Sequence, residues 1–238
     1  MASRVVPSLR ALPRAFVAGI PDELPEKIEL PEAETRKFRN VLRLVSGDVI
    51  GLLPGDGRFI RCTLDGKSAR PIEVTTPATE AKREVTLALG IPKPEKLEES
   101  VRMATELGVA HFLLFTAERT VVRWEPAKFA AKLLRLETIA REAAEVAFRT
   151  KLPTFTVLMS LAQVLEAHPQ ALVMSESETA PADWPTLQQE CTIVVGPEGG
   201  WAPKEVQSIG SRAVSLGPRV LRVDTAVAAA CSLALADR

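Results

Sequence analysis

The pattern of apolar and polar positions changes once along this chain, near residue 80. Before that point the apolar stretches are short and set off by turns. Arg14-Ala-Phe-Val-Ala, Val49-Ile-Gly-Leu-Leu, Arg58-Phe-Ile-Arg-Cys-Thr-Leu and Pro71-Ile-Glu-Val-Thr read as strands. Pro54-Gly-Asp-Gly and Asp65-Gly-Lys-Ser supply the hairpin turns between them. Several short strands at this spacing predict a compact β-barrel running from about Arg14 to Val74. One helix interrupts it, from about Glu32 to Val45. Phe38, Val41, Leu42 and Val45 fall at i, i+3, i+4, i+7 spacing and are expected to face inward. Thr75-Thr-Pro-Ala-Thr-Glu then has turn residues and no periodicity. The domain boundary is placed there, giving domains of residues 1–76 and 77–238.

Beyond the boundary, apolar strands alternate with helices. The strands are Val85–Gly90, His111–Phe115, Phe155–Leu158, Ala171–Met174, Cys191–Val195 and Ala213–Leu216. A helix from about Lys93 to Leu107 carries Leu97, Val101, Ala104 and Leu107 on one stripe and is stopped by Gly108. A longer one runs from Pro126 to about Phe148, with Leu133, Leu136, Ala140, Ala143 and Ala147 turned inward. Shorter helices are expected at Leu161–Ala167 and Lys204–Ile209. Purely apolar strands alternating with helices predict a parallel sheet covered on both faces, so the fold class is α/β. The last helix, Thr225 to about Ala236, is nearly all small and apolar. With no charged face it must be buried all round, in the monomer or between subunits. Asp224 or Thr225 is the expected cap.

Composition narrows the possibilities only slightly. The 238 residues are 46% hydrophobic and 25% charged, ordinary for a globular protein. Thirty basic residues balance thirty acidic ones, so any nucleic-acid surface has to be a local patch. The helix at 32–45 offers one, through Arg36, Lys37, Arg39 and Arg43; it is either a solvated face or a phosphate-contacting surface. Cys62, Cys191 and Cys231 are far apart, and the only histidines are His111 and His168, so no metal-ligand spacing appears. No apolar run is long enough for a bilayer, and the N-terminus lacks the h-region of a secretory signal. Reduced thiols and a cytoplasmic location are expected.

Candidate chemistry gathers in two loops. Ile193-Val-Val-Gly-Pro-Glu-Gly-Gly-Trp-Ala-Pro-Lys-Glu breaks from a buried strand into a loop almost bare of side chains, then feeds a helix at Pro203. Leu216-Gly-Pro-Arg-Val-Leu-Arg-Val-Asp-Thr-Ala repeats the design about twenty residues later. Such loops let backbone groups approach a ligand closely. In open α/β sheets, ligands bind at the carboxyl ends of strands, where both loops fall. A third loop, Ser175-Glu176-Ser177-Glu178, should open on the same edge. The first loop lacks the Lys-Ser/Thr of a phosphate loop and the spacing of a dinucleotide fingerprint, and no nucleophile elbow occurs. Glu198 is either a solvated turn residue or an orienting group for a cationic ligand. Trp201 is expected to pack beneath the loop. Arg219 and Arg222 suit phosphate or carbonyl binding, unless one pairs with Asp224.

The two loop motifs together resemble those of the trefoil-knotted (SPOUT-class) RNA methyltransferases, and within that class the RsmE family. The resemblance extends through R-A-F-V at Arg14–Val17, R-N-V-L-R-L-x-x-G-D at Arg39–Asp48 and the D-G near Asp56. It continues in K-L-E-E-S-V-R-M-A-T-E-L-G-V at Lys96–Val109, E-R-T-V-V at Glu118–Val122, E-A-A-E at Glu142–Glu145 and R-x-x-L-P at Arg149–Pro153. It implies a PUA-like RNA-binding barrel at 1–76 and a SPOUT domain at 77–238 whose end threads a knot. It implies S-adenosylmethionine as methyl donor without a metal, and methylation at N3 of a uridine in small-subunit (16S) ribosomal RNA. Small-subunit ribosomal RNA or the assembled 30S subunit, and a second copy of the chain in a homodimer, are the implied partners.

Cofactor contacts are expected from Met174, from Gly196, Pro197, Glu198, Gly199 and Gly200, and from Leu216, Gly217, Val220, Leu221, Thr225 and Ala226. Arg222, with Arg219 as second choice, is expected to stabilise charge on the uracil carbonyls. Arg14, Arg36, Lys37, Arg39 and Arg43 are expected to contact RNA. Two departures bear on uridine binding. Val146-Ala147 stands where the family has Gln and a small polar residue, and Val223-Asp224-Thr225 where Thr-Glu-Thr is common. A methyltransferase acting on transfer RNA or another ribosomal RNA base, or a non-catalytic RNA-binding paralogue, are the alternatives.

Overall fold

A computed structural model describes residues 8–122, 126–177 and 184–236. Its contacts divide the chain into two compact units: Met1–Glu80 with Ala144–Leu152, and Ala81–Ala143 with Pro153–Arg238. The expected boundary lies within a few residues of the first cut. Residues 144–152, however, return to the first unit, which the sequence pattern does not anticipate.

In the first unit five strands form one sheet: β1 (Arg14–Phe16), β2 (Ile28–Glu29), β3 (Val49–Leu53), β4 (Phe59–Asp65) and β5 (Ser68–Thr75), in the order β1-β3-β4-β5-β2. β1 runs parallel to β3, and the other pairs are antiparallel. β2 is an addition to the expected strands; at two residues it carries too little pattern to be seen. The interior is built by alternation, with Ile50 and Leu52 of β3 and Ile60, Cys62 and Leu64 of β4 all buried. Gly51 is obligatory in this sheet, since a β-carbon there would lie 2.3 Å from the Phe59 ring.

The helix at 32–45 is corrected. α1 covers only Glu32–Arg36 and passes into a π-turn at Lys37–Val41. Leu42 N–H reaches back to Lys37 O at 2.9 Å, and Arg43 then takes a left-handed φ of 57°. The wider turn shifts the phase of the stripe. Phe38 is fully buried, but Val41, Leu42 and Val45 face outward rather than inward.

Residues 144–152 close the other side of this unit. Ala144 and Phe148 join Leu12, Phe16, Leu53 and Phe59 in a small cluster. The Phe148 ring meets Phe59 edge-on at 5.3 Å, and the Arg14 guanidinium lies 4.5 Å from its centroid. Glu80 fixes the segment: its carboxylate accepts from Arg149 Nη2 at 2.9 Å, from Thr150 N–H at 2.7 Å and from Lys151 N–H at 3.1 Å.

The second unit contains β6 (Glu84–Gly90), α2 (Pro94–Leu107), β7 (His111–Phe115), α3 (Pro126–Val146, its last turn in the first unit), β8 (Thr154–Leu158), α4 (Leu161–Ala167), β9 (Leu172–Met174), β10 (Glu190–Val195), α5 (Pro203–Ile209), β11 (Ala213–Val214) and α6 (Val223–Leu235). The sheet is parallel throughout, in the order β11-β9-β10-β6-β7-β8. Strand order reverses between β6 and β10, so the switch-point crevice opens at their carboxyl ends. Alternate residues feed two cores: Leu87, Leu89, Phe112, Leu114 and Ile193 meet α2 and α6, and Ala88, Leu113, Phe115 and Val194 meet α4 and α5.

Leu97, Val101 and Ala104 of α2 are buried as expected, whereas Leu107 is 40% exposed at the last turn, where Gly108 turns left-handed at φ 114°. In α3, Leu136, Ala140 and Ala143 are buried, while Leu133 and Ala147 are only partly so. α6 buries Val223, Val227, Ala230, Cys231 and Ala234 within the monomer and leaves Thr225 and Ser232 exposed. The cap expectation is also corrected: α6 begins at Val223, so Arg222 occupies the N-cap position without a side-chain bond, and Asp224 lies within the first turn, paired with Lys96.

Candidate functional site

Five segments converge on a cavity of about 830 Å³ within the second unit. They are the loops that follow β6, β7, β9, β10 and β11, all of which leave the carboxyl edge of the sheet. The expected ligand residues Met174, Gly196, Pro197, Glu198, Gly199 and Gly200 line it, as do Leu216, Gly217, Val220, Leu221 and Ala226. Thr225 does not; it sits exposed on the first turn of α6. Arg219 and Arg222 both line the cavity. Ser175, Glu176 and Ser177 extend its wall, and Glu178 lies outside the described residues.

Each loop is fastened to another. Trp201 donates its indole N–H to Met174 O at 2.9 Å and stacks on Phe115 with ring centroids 6.3 Å apart, so it packs beneath the loop as expected. Glu205 uses one oxygen to accept from Ala202 N–H at 2.9 Å and the other from Glu118 N–H at 3.0 Å. This bridges the start of α5 to the loop after β7. Glu198 accepts from Lys93 N–H at 3.1 Å, and Arg119 donates to Gly199 O at 3.3 Å.

These ties revise the reason for two of the glycines. A β-carbon on Gly196 would sit 3.0 Å from the Trp201 ring, and one on Gly199 would sit 2.8 Å from the Arg119 carbonyl oxygen. Protein neighbours, not a ligand, fill that space. Gly90, unremarked in the sequence, faces Pro197 Cδ at 2.8 Å. Gly217 needs its freedom for a different reason, a φ of 107° in a turn closed by Ser215 Oγ.

The charges are unevenly spent. Lys96 Nζ binds Asp224 at 2.7 Å and Glu99 at 2.9 Å. The Lys96 contact holds the Asp224 carboxyl below its ordinary range against some desolvation, and Asp224 in turn raises Lys96. Asp224 Oδ1 is buried without a hydrogen-bond partner among the described residues. Because Asp224 belongs to Lys96, the alternative pairing with an arginine does not form. Arg219 and Arg222 are exposed and meet no carboxylate among the described residues. Lys93, Lys96 and Arg119 are wall residues that the sequence reading missed. The rule that ligands lie at the carboxyl ends of strands would have flagged Arg119, which follows β7 closely.

A second cavity, about 630 Å³, holds both histidines at the amino ends of the same strands. His111 is clasped by Glu84 and Thr154, each at 2.6 Å, and His168 by Thr192 at 2.9 Å. None of the bare loops reaches it.

The basic residues expected to touch RNA separate into two groups in the first unit. Arg14 donates to Leu12 O and lies over Phe148, while Lys37 is bound to Glu145 and Arg14 O. Arg36, Arg39 and Arg43 are exposed, Arg36 in an ion pair with Glu32 at 3.0 Å.

Residues 79–235 match the RNA methyltransferase domain family. Ribosomal RNA small subunit methyltransferase E of Bacillus subtilis is 33% identical over 81% of this chain and 83% of its own length. Its namesake in Synechocystis is 31% identical over 95% of this chain and 82% of its own length. The chain belongs to the ribosomal RNA small subunit methyltransferase E family. Solved structures agree with that placement. The Neisseria gonorrhoeae ribosomal RNA small subunit methyltransferase E, crystallised with S-adenosyl methionine, superposes with a TM-score of 0.82 at 26% identity, over 93% of this chain and 96% of the other. A putative methyltransferase of Legionella pneumophila in complex with the same cofactor gives 0.84 at 26% identity and the same coverage. This member of the family has the mixed α/β architecture and parallel sheet of those methyltransferases. Among the described residues no helix is long and apolar enough to cross a membrane.

Proposed function

We propose that this chain transfers the methyl group of S-adenosylmethionine to N3 of a uridine in 16S ribosomal RNA. The observation that carries the reading is the 830 Å³ cavity at the sheet's switch point, walled by two bare loops and opening beside two arginines that no carboxylate among the described residues claims. Its volume falls in the usual range for small-molecule sites. Leu216, Val220 and Leu221 offer apolar surface to a nucleoside, and the Gly196–Gly200 backbone offers polar groups that no long side chain covers. Asp224 Oδ1, buried and unpartnered, suits a ligand that brings a donor.

The bound cofactor supplies an electrophilic methyl group, so the protein's task is alignment and charge stabilisation. Uracil N3 becomes a good nucleophile as its proton leaves, and charge then spreads to the flanking carbonyls. Arg222, with Arg219 second, is assigned to those carbonyls. A uridine within folded RNA has to leave its stack to enter. The same reading includes a PUA-like barrel at 1–76, a knot formed by the end of the SPOUT domain at 77–238, a homodimer and a cytoplasmic location. RNA contacts fall to Arg36, Arg39 and Arg43, and to Arg14 and Lys37 if their internal bonds open.

Labelled-cofactor assays on unmodified small subunits, followed by nucleotide mapping, test the reading directly. The label is expected on N3 of one uridine; label on another base or in transfer RNA rejects it. Arg222→Ala is expected to lower turnover about 100-fold or more with cofactor affinity unchanged by calorimetry. Full turnover in that variant removes Arg222 from the chemistry.

A further inference from the structure

The π-turn in the first unit leaves an unusual surface. Within five residues Val41, Leu42 and Val45 are 71%, 42% and 62% exposed, although their spacing is that of a buried stripe. Arg39 and Arg43 flank them, exposed and with no carboxylate partner among the described residues. This is not slack chain. Leu42 N–H bonds Lys37 O and Leu44 N–H bonds Phe38 O, each at 2.9 Å, and Val45 N–H donates to the Asp48 carboxylate at 2.8 Å. Phe38 below is fully buried and anchors the turn. Arg43 sits in the left-handed region at φ 57°, which a non-glycine residue holds only where its surroundings impose it. π-turns and such backbone outliers both concentrate at functional positions.

We propose that residues 39–45 form a knuckle that reads unstacked RNA, with Val41, Leu42 and Val45 packing against an exposed nucleobase while Arg39 and Arg43 hold the phosphates on either side of it. The pairing of charges selects the occupant. A protein partner or a second copy would cover the apolar residues but leave two guanidiniums facing it unpaired, whereas a single RNA strand supplies an apolar base face and anionic phosphates within one nucleotide. Duplex RNA, whose bases are stacked inside, offers only the phosphates. The inference rests on the RNA-modifying reading above and adds to it a contact that discriminates looped from paired RNA.

The test uses the full chain with three probes: an RNA hairpin with an unpaired loop, a blunt RNA duplex and unmodified small subunits. Val41, Leu42 and Val45 are all exposed, so the triple variant Val41→Ser, Leu42→Ser, Val45→Ser should fold normally, which circular dichroism and cofactor calorimetry check. It is expected to bind the hairpin about 5–10-fold more weakly, with an unchanged dependence on salt and unchanged duplex binding. Arg39→Ala and Arg43→Ala are expected to weaken both RNAs and each to reduce the salt slope by about 0.7. Undiminished hairpin binding by the triple variant overturns the proposal. If only small-subunit binding falls, the surface belongs to a protein. If the oligomeric state changes instead, it belongs to a second copy. Failure of the unaltered chain to bind any RNA would reject the methyltransferase reading itself, not the knuckle alone.

Discussion

A β-carbon on Gly199 would meet the Arg119 carbonyl oxygen at 2.8 Å, closer than real contacts allow, and backbone cannot swing aside as a side chain can. Gly199→Ala is therefore expected to part the loop after β10 from the loop after β7. Stability should fall by about 1–3 kcal/mol, and calorimetry should show S-adenosylmethionine binding weakened about tenfold or more. Wild-type affinity in a folded Gly199→Ala protein would detach this glycine from the site. The ion pair beside it carries a pH signature. Asp224 titrates below its unfolded value because of Lys96, so its contribution to stability is full above about pH 4 and is lost as pH falls through the depressed value. The stability gap between wild type and Lys96→Met should then shrink between pH 5 and pH 3 in urea titrations; a constant gap would mean that the pair does not stabilise the fold. The cysteines give a simpler readout. Burial pushes Cys62 and Cys231 up to about 12; it raises Cys191 too, but that side chain is only partly covered and stays within reach of a reagent. At pH 8 a thiol reagent should label Cys191 in the native protein and the other two only on unfolding.

At the scale of elements, α6 carries Val223, Asp224 and Ala226 into the cavity wall. Small residues let it lie against α2, and Ala230, Cys231 and Ala234 have no exposed surface at all. Ala230→Leu is expected to destabilise by about 1–3 kcal/mol through overpacking, with a lower thermal midpoint as the check. The apolar run of α6 makes this burial legible in the sequence. The strands of the parallel sheet are legible for the same reason, because a short, wholly apolar run between turns suits a strand covered on both faces. The helix after Glu32 is legible only in part. Periodicity reports an ideal α-helix, and one inserted residue at Lys37–Val41 rotates Val41, Leu42 and Val45 away from the interior, while Leu44 packs against it instead. No residue type marks a π-turn, so Val41, Leu42 and Val45 read as core. The site divides similarly. Glycine, proline and arginine mark the loops after β10 and β11, and position after β7 marks Arg119, but Lys96 enters the cavity from within α2, and nothing in its local sequence distinguishes it from a solvated side chain.

At the scale of the whole molecule, the first unit is not a continuous stretch of chain, and local pattern, which relates each residue only to its neighbours, cannot show that. The signal lies in the ends of two elements. Phe148, at φ 58° just past α3, turns its ring onto Phe59, and Glu80, in what reads as linker, collects Arg149, Thr150 and Lys151. Arg149 is almost completely buried and Glu80 also accepts from the Thr150 and Lys151 amides, so removing this carboxylate takes several bonds from the segment at once. Glu80→Ala is expected to cost about 1–3 kcal/mol. The larger consequence concerns autonomy. Residues 1–80 alone keep the five strands but lose Ala144 and Phe148, uncovering Leu12, Phe16, Leu53 and Phe59 on one side. That fragment should bind a hydrophobic dye and unfold without a cooperative transition. The same fragment extended through a flexible linker by residues 144–152 should recover a sharp transition, and the Glu80→Ala change should abolish the recovery. A cooperative transition in residues 1–80 alone would show that the returning segment merely decorates a unit that is already complete.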